Sequence, residues 1–276
     1  MKSYIKSILF KTAPYIFPDR YRDHSPIFCF HRVVPSKTFN RLSINQKRFS
    51  VTTTYFDSFI SLIKELGYED SSLNEIISDR KENNKRNKFH ITFDDGYKDN
   101  LIHAEPILRK HNISATFYIT TSMLEKGNKS KLPYLSLADS KKDYLSTADL
   151  SDFVSRSDKY NFGGHSHTHQ VLSQVKHKEL KNEIFLPKKI LEDAIGKEIY
   201  DFAFPFGGEN EFNQKVIDVL KDSGYKTSVT SLPYFHPKYD ERMAYPRYFI
   251  TQSCDKISIL GRLSGLSKIL RNQLLR

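Results

Sequence analysis

Two adjacent carboxylates, Asp94 and Asp95, close an apolar run that begins at Phe89, and Gly96 follows them. Ionised carboxylates side by side disfavour one another, and a cation beside them relieves that cost. Gly96 lets the backbone turn away sharply. The same letters also fit a plain strand-ending turn, because Asp-Gly is a common turn signal. A second cluster, Gly163-Gly164-His165-Ser166-His167-Thr168-His169, sets three imidazoles within five residues. His165 and His169 are four apart, which puts both rings on one side of a turn or helical arc. Two imidazoles and one carboxylate form a catalytic zinc set that leaves a position open for water or substrate. Spacing alone leaves His167 open as another ligand.

The elements that must position these clusters alternate between short apolar runs and amphipathic stretches. Strands are expected at 26–30, 89–93, 115–120, 161–164, 200–204, 227–230 and 247–250. Helices are expected near 98–110, 147–156, 178–195 and 211–223, with Gly196 as a stop for the third. Thr54 is read as the cap of a further helix carrying Phe56, Phe59, Ile60, Ile63 and Leu66 on one face, stopped by Gly67. Residues 79–88 read as a polar, basic linker, and residues 125–144 as a long loop that could border a site. This alternation predicts an α/β fold with a mostly parallel sheet. In a parallel barrel the chemistry sits beyond the C-terminal ends of the strands, and both polar clusters fall at such ends.

The pentapeptide Thr92-Phe93-Asp94-Asp95-Gly96, followed by His-Ser-x-x-His at 165–169, is similar to the polysaccharide deacetylase (NodB-like) carbohydrate esterases. The resemblance runs from about Phe28 to Ile250. It implies a distorted (β/α) barrel of about seven strands, mostly parallel. It also implies that Asp94 is the catalytic base, that Asp95, His165 and His169 hold a divalent metal ion, most often zinc, and that His167 falls on a variable position. Ala203-Phe204-Pro205-Phe206-Gly207 looks like the family's third motif, where the backbone N–H of an aromatic residue, here Phe206, helps hold the oxyanion. Ala203 stands where the family usually has arginine. Arg247, in Pro246-Arg247-Tyr248, resembles the Pro-Arg of a subgroup and would orient Asp94 by a charge-assisted bond.

The family's Trp-containing motif is absent, since the chain has no Trp, and so is its C-terminal Leu-x-x-His. Phe28-Cys29-Phe30-His31-Arg32-Val33 instead looks like the YHxV segment of circularly permuted members, which makes His31 the general acid. The implied reaction is hydrolysis of N-acetyl groups on a sugar of a surface polysaccharide or its lipid-linked precursor. An O-acetyl esterase on the same site is one alternative. A catalytically degenerate sugar-binding protein is another, kept open by Ala203 and the divergent last motifs.

A chain of 276 residues can place all of this in one large domain. The expected division is an amphipathic N-terminal segment at 1–24, the deacetylase domain at 25–252 and a basic amphipathic helix at 253–276. Only two cysteines, Cys29 and Cys254, are present, which gives no disulfide framework and favours a reducing compartment. With no secretory signal pattern and no spanning apolar run, the expected location is cytoplasmic. The net charge of +11 favours anionic partners, though no nucleic-acid motif accompanies it and no nucleic acid is expected. Leu260, Leu263, Leu266, Leu270 and Leu274 recur at helical spacing among basic residues, and Ile5, Ile8 and Leu9 alternate with Lys2, Lys6 and Lys11. Such patterns suit an anionic membrane surface on the inner face. The competing reading packs both ends against the barrel.

Overall fold

A computed structural model of the chain describes residues 25–82, 87–124 and 143–264. Among the described residues ten strands form, all paired in parallel: β1 (Ile27–Phe30), β2 (Arg32–Val34), β3 (Ser50–Thr52), β4 (Glu69–Asp70), β5 (Lys88–Phe93), β6 (Ala115–Ile119), β7 (Tyr160–Gly164), β8 (Asp201–Ala203), β9 (Thr227–Val229) and β10 (Tyr248–Phe249). Seven lie in the order β10-β1-β5-β6-β7-β8-β9, β4 adds to β5, and β2 pairs β3 separately. A parallel bridge from Val229 to Tyr245 links β9 to the chain entering β10, so the sheet curls into a distorted (β/α) barrel.

The helices are α1 (Ser36–Arg41), α2 (Ile44–Arg48), α3 (Thr53–Glu65), α4 (Leu73–Lys81), α5 (Glu105–His111), α6 (Thr147–Ser155), α7 (His177–Ile195), α8 (Gln214–Asp222) and α9 (Lys256–Leu263). α3 shows how sequence becomes packing. Phe56, Phe59, Ile60 and Ile63 all face the core, and Phe59 meets Phe28 edge-on with centroids 4.9 Å apart. Each such fully buried side chain contributes roughly 1.5–3 kcal/mol. Its cap is Thr52 rather than the expected Thr54, because Thr52 ends β3 in extended geometry and its hydroxyl accepts from the Tyr55 amide.

The helix expected near 98–110 begins instead as a π turn, Asn100–Ala104, and becomes α-helical only at Glu105. Pro106 has no N–H to return to the preceding turn. α1 and α2 lay outside the sequence expectations because they are short and bury no residue. The expected linker at 79–88 is partly helical, since α4 runs to Lys81, and Lys88 pairs with Asp79 at 2.7 Å.

The N-terminal segment 1–24, most of the expected loop at 125–144, and the tail from 265 onward lie outside the described residues. Within α9, Ile259 and Leu263 are buried in the main core, and Arg262 donates to the Phe249 carbonyl at 2.7 Å. That portion of the amphipathic stripe therefore packs against the barrel. No helix among the described residues is long and apolar enough to cross a membrane.

Candidate active site

β5 carries the adjacent aspartates to its C-terminal end. Asp95 and Gly96 both have positive φ, +75° and +79°, so the chain turns sharply as soon as the strand stops. Asp94 is 2% exposed and Arg247 is fully buried. Two parallel bonds of 2.7 Å join them, from Arg247 Nη1 to Asp94 Oδ1 and from Nη2 to Oδ2. The guanidinium is itself held by the Thr230 carbonyl (2.9 Å) and Thr92 Oγ1 (3.0 Å). Burial alone would raise the pKa of Asp94, but the Arg247 guanidinium together with the nearby His165 and His31 more than reverses this and holds it at about 2. Asp94 thus has a guanidinium partner even though Ala203 occupies the usual arginine position. Cys29 completes its surroundings, with Sγ 3.3 Å from Asp94 Oδ2.

The histidines arrive from β7. Gly163 and Gly164 end that strand because nothing larger fits: a Cβ on Gly163 would lie 2.6 Å from the Asp201 carbonyl, and one on Gly164 2.5 Å from the Tyr225 hydroxyl. His165 Nδ1 lies 2.8 Å from the Ala203 carbonyl. An N–H donated there leaves Nε2 unprotonated as a ligand atom. The next turn is held in place by the His169 amide, which donates to Ser166 Oγ at 2.8 Å, with both residues at positive φ.

His165 Nε2 and His169 Nε2 each lie 3.3 Å from Asp95 Oδ1. That oxygen is buried yet has no aligned hydrogen bond. Burial pushes the Asp95 pKa up, and the two imidazoles beside it more than reverse that, holding it well below the ordinary carboxylate range. One ligand atom from each of the three residues falls within 4.8 Å of the others. Tetrahedral ligands about 2.1 Å from a zinc-sized ion lie about 3.4 Å from one another, so the 3.3 Å spacings fit such an ion. His167 takes no part: its Nδ1 meets Thr121 Oγ1 at 3.0 Å.

One cavity of about 400 Å³ gathers these groups, lined by His31, Asp94, Asp95, His165, His169 and Phe206 among others. Phe206 follows β8 with φ +63°, its ring edge-on to His169 at 4.8 Å. His31 follows β1, which sits between β10 and β5. Its carbonyl accepts from Asn100 Nδ2 at 2.8 Å, while its Nδ1 is buried without a hydrogen bond. Burial lowers the His31 pKa, with Asp95 and Asp94 pulling the other way. The cavity thus collects a cluster of one carboxylate and two imidazoles that could hold a cation, a clamped carboxylate, and an imidazole whose Nδ1 makes no hydrogen bond.

Sequence reasoning missed Cys29, Thr92, Thr230, Phe49 and Glu183. Glu183, on α7, accepts from the amides of His167 (3.1 Å) and Thr168 (2.9 Å) and from the Thr168 hydroxyl (2.7 Å). Thr92 and Cys29 carried a local signal, standing two residues before Asp94 and His31 respectively.

A family model described as polysaccharide deacetylase matches residues 81–228. YxkH of Bacillus subtilis (strain 168) is 22% identical over 212 residues, 75% of this chain; the chain spans 64% of that relative's length. Among solved structures, the Streptococcus pyogenes deacetylase PplD in complex with acetate is similar with TM-score 0.68 at 20% identity, over 86% of this chain and 97% of that one. A de-N-acetylase from Aggregatibacter actinomycetemcomitans reaches TM-score 0.71 at 17% identity, over 87% and 99%. At such identities the two structures establish a shared fold.

Proposed function

This chain belongs to the polysaccharide deacetylase family, and we propose that it removes N-acetyl groups from a sugar of a surface polysaccharide or of its lipid-linked precursor. The observation that carries this reading is one cavity holding both the Asp95, His165 and His169 cluster and the clamped Asp94. The de-N-acetylase among the structural relatives supports an amide over an ester as the bond broken.

Asp95, His165 and His169 would hold a divalent cation, for which zinc suits the two-imidazole, one-carboxylate donor set. Such an ion, when bound, polarises a carbonyl and makes a nearby water acidic. Asp94 then accepts the proton of the attacking water, remaining ionised at neutral pH because Arg247 stabilises its charge. Arg247 also fixes the orientation of both carboxylate oxygens. The Phe206 amide donates to the oxygen of the tetrahedral centre as negative charge develops there. His31, neutral at rest because burial lowers its pKa, takes up the proton that Asp94 draws from the water and passes it to the departing amine. The products are acetate and a free amino sugar.

The basic, amphipathic ends of the chain further suggest that the reaction takes place at the cytoplasmic face of an anionic membrane. Acetate release from matched N-acetyl and O-acetyl sugars tests the reaction. Turnover of the N-acetyl set is the expected result. Exclusive turnover of the O-acetyl set would make the protein an esterase, and metal binding without release from either would make it a sugar-binding relative.

A further inference from the structure

Large apolar side chains belong inside a folded protein, and those left outside in a group mark a binding surface. Among the described residues, Ile44, Phe49, Ile102, Phe185 and Phe206 are the large hydrophobic side chains left exposed. Two of them, Phe49 and Phe206, line the same cavity as the aspartates and histidines. Phe206 follows β8 and packs on His169, whereas Phe49 packs on His31 at the β1 and β10 side.

Phe49 is 47% exposed, yet its backbone is pinned. Its amide donates to the Gln46 carbonyl at 3.1 Å, and its carbonyl accepts from the Arg32 amide at 3.0 Å. Its ring sits 5.2 Å from His31 and 6.0 Å from Phe249, and Phe249 is edge-on to His31 at 5.1 Å. The three rings form one wall. Asn45, on α2 and exposed, stands at the same cavity and adds an amide to its lip. A rigid aromatic surface beside amide groups suits a pyranose, which has one face of C–H bonds and a rim of hydroxyls.

We propose that Phe49 and Phe249 form a stacking subsite for the sugar ring next to the one that loses its acetyl group, with Asn45 hydrogen-bonding that ring's hydroxyls. Phe49 packs on His31 and lines the same cavity as the aspartate pair, which places its sugar beside the reacting unit. The ligand class is therefore an oligosaccharide of two or more N-acetylated sugars. A single acetylated sugar leaves this wall uncovered. The cavity of about 400 Å³ is at the low end of ligand pockets, so it takes a short stretch of glycan. This inference rests on the carbohydrate reading above, and its binding arm is read without turnover.

The chain contains no Trp, so Phe49→Trp places a single indole in the wall, whose emission is excited at wavelengths the tyrosines do not absorb. Titration with the β-1,4-linked trimer of N-acetylglucosamine should give a saturable change in emission. The monomer should bind at least tenfold more weakly. In kinetics on the trimer, Phe49→Ala should raise KM about tenfold with a smaller effect on kcat. Unchanged emission with the trimer, equal affinity for monomer and trimer, or a fall in kcat at constant KM would each overturn the subsite. Saturable emission without acetate release keeps the subsite and removes the reaction. Acetate release with silent emission does the reverse.

Discussion

Asp94 and Arg247 are 153 residues apart in sequence, and two bonds of 2.7 Å join them in a buried, forked pair. Removing one partner of a buried ion pair strands the other charge, at a cost of about 3–5 kcal/mol. Arg247→Ala should lose about that much stability in urea denaturation, together with most turnover. Arg247→Lys should retain more stability but lose at least tenfold in kcat/KM, because an ammonium cannot bridge both oxygens. Wild-type turnover in the Lys variant would show that the forked geometry is unimportant. At this scale the ligand candidates were legible because they lie within two short stretches of chain. Thr230 and Phe49 were not, since each meets its partner, Arg247 and His31 respectively, across an intervening stretch of chain that leaves no local pattern.

The strands and longer helices were legible from apolar spacing, while α1 and α2 lack any buried face that spacing could reveal. Two elements carry predictions of their own. α7 holds the histidine turn through Glu183, which takes three hydrogen bonds from His167 and Thr168. Partners that orient metal ligands typically contribute 10–100-fold in affinity, so Glu183→Gln should weaken cation binding by roughly that factor in a chelator competition. Undiminished affinity would mean that the turn holds itself.

β5 is tied to the loop after β4 by His90, whose Nδ1 meets the Ser71 carbonyl at 2.8 Å and whose Nε2 meets Thr116 Oγ1 at 2.9 Å. Burial lowers its pKa from 6.5 to about 4. The unfolded chain therefore takes up a proton between these values that the folded one refuses. Stability from this group is complete above about pH 6.5, falls by up to about 3 kcal/mol as pH drops to about 4, and then levels off. His90→Gln should flatten that part of a stability-versus-pH curve. A variant with the wild-type slope would assign the acid sensitivity to other groups.

Across the whole molecule, one curled parallel sheet sends its catalytic candidates from the ends of β1, β5, β7 and β8 into a single cavity. That convergence was legible as polar clusters at predicted strand ends. The tail was less so, because amphipathic spacing reads the same whether the apolar face meets lipid or a barrel, and α9 meets the barrel. If the residues beyond α9 and before β1 dock on lipid, the full chain should sediment with anionic vesicles in a salt-sensitive way and leave neutral ones alone. Equal recovery with both would remove the membrane from the account.

The central claim is a division of labour between two neighbouring aspartates, one holding a cation and the other handling a proton. Metal content and acetate release, measured together on purified wild type, Asp94→Asn and Asp95→Ala, test it most directly. The account predicts one bound divalent ion in wild type and in Asp94→Asn, with turnover only in wild type, and neither ion nor turnover in Asp95→Ala. Loss of the ion from Asp94→Asn, or its retention in Asp95→Ala, would contradict it.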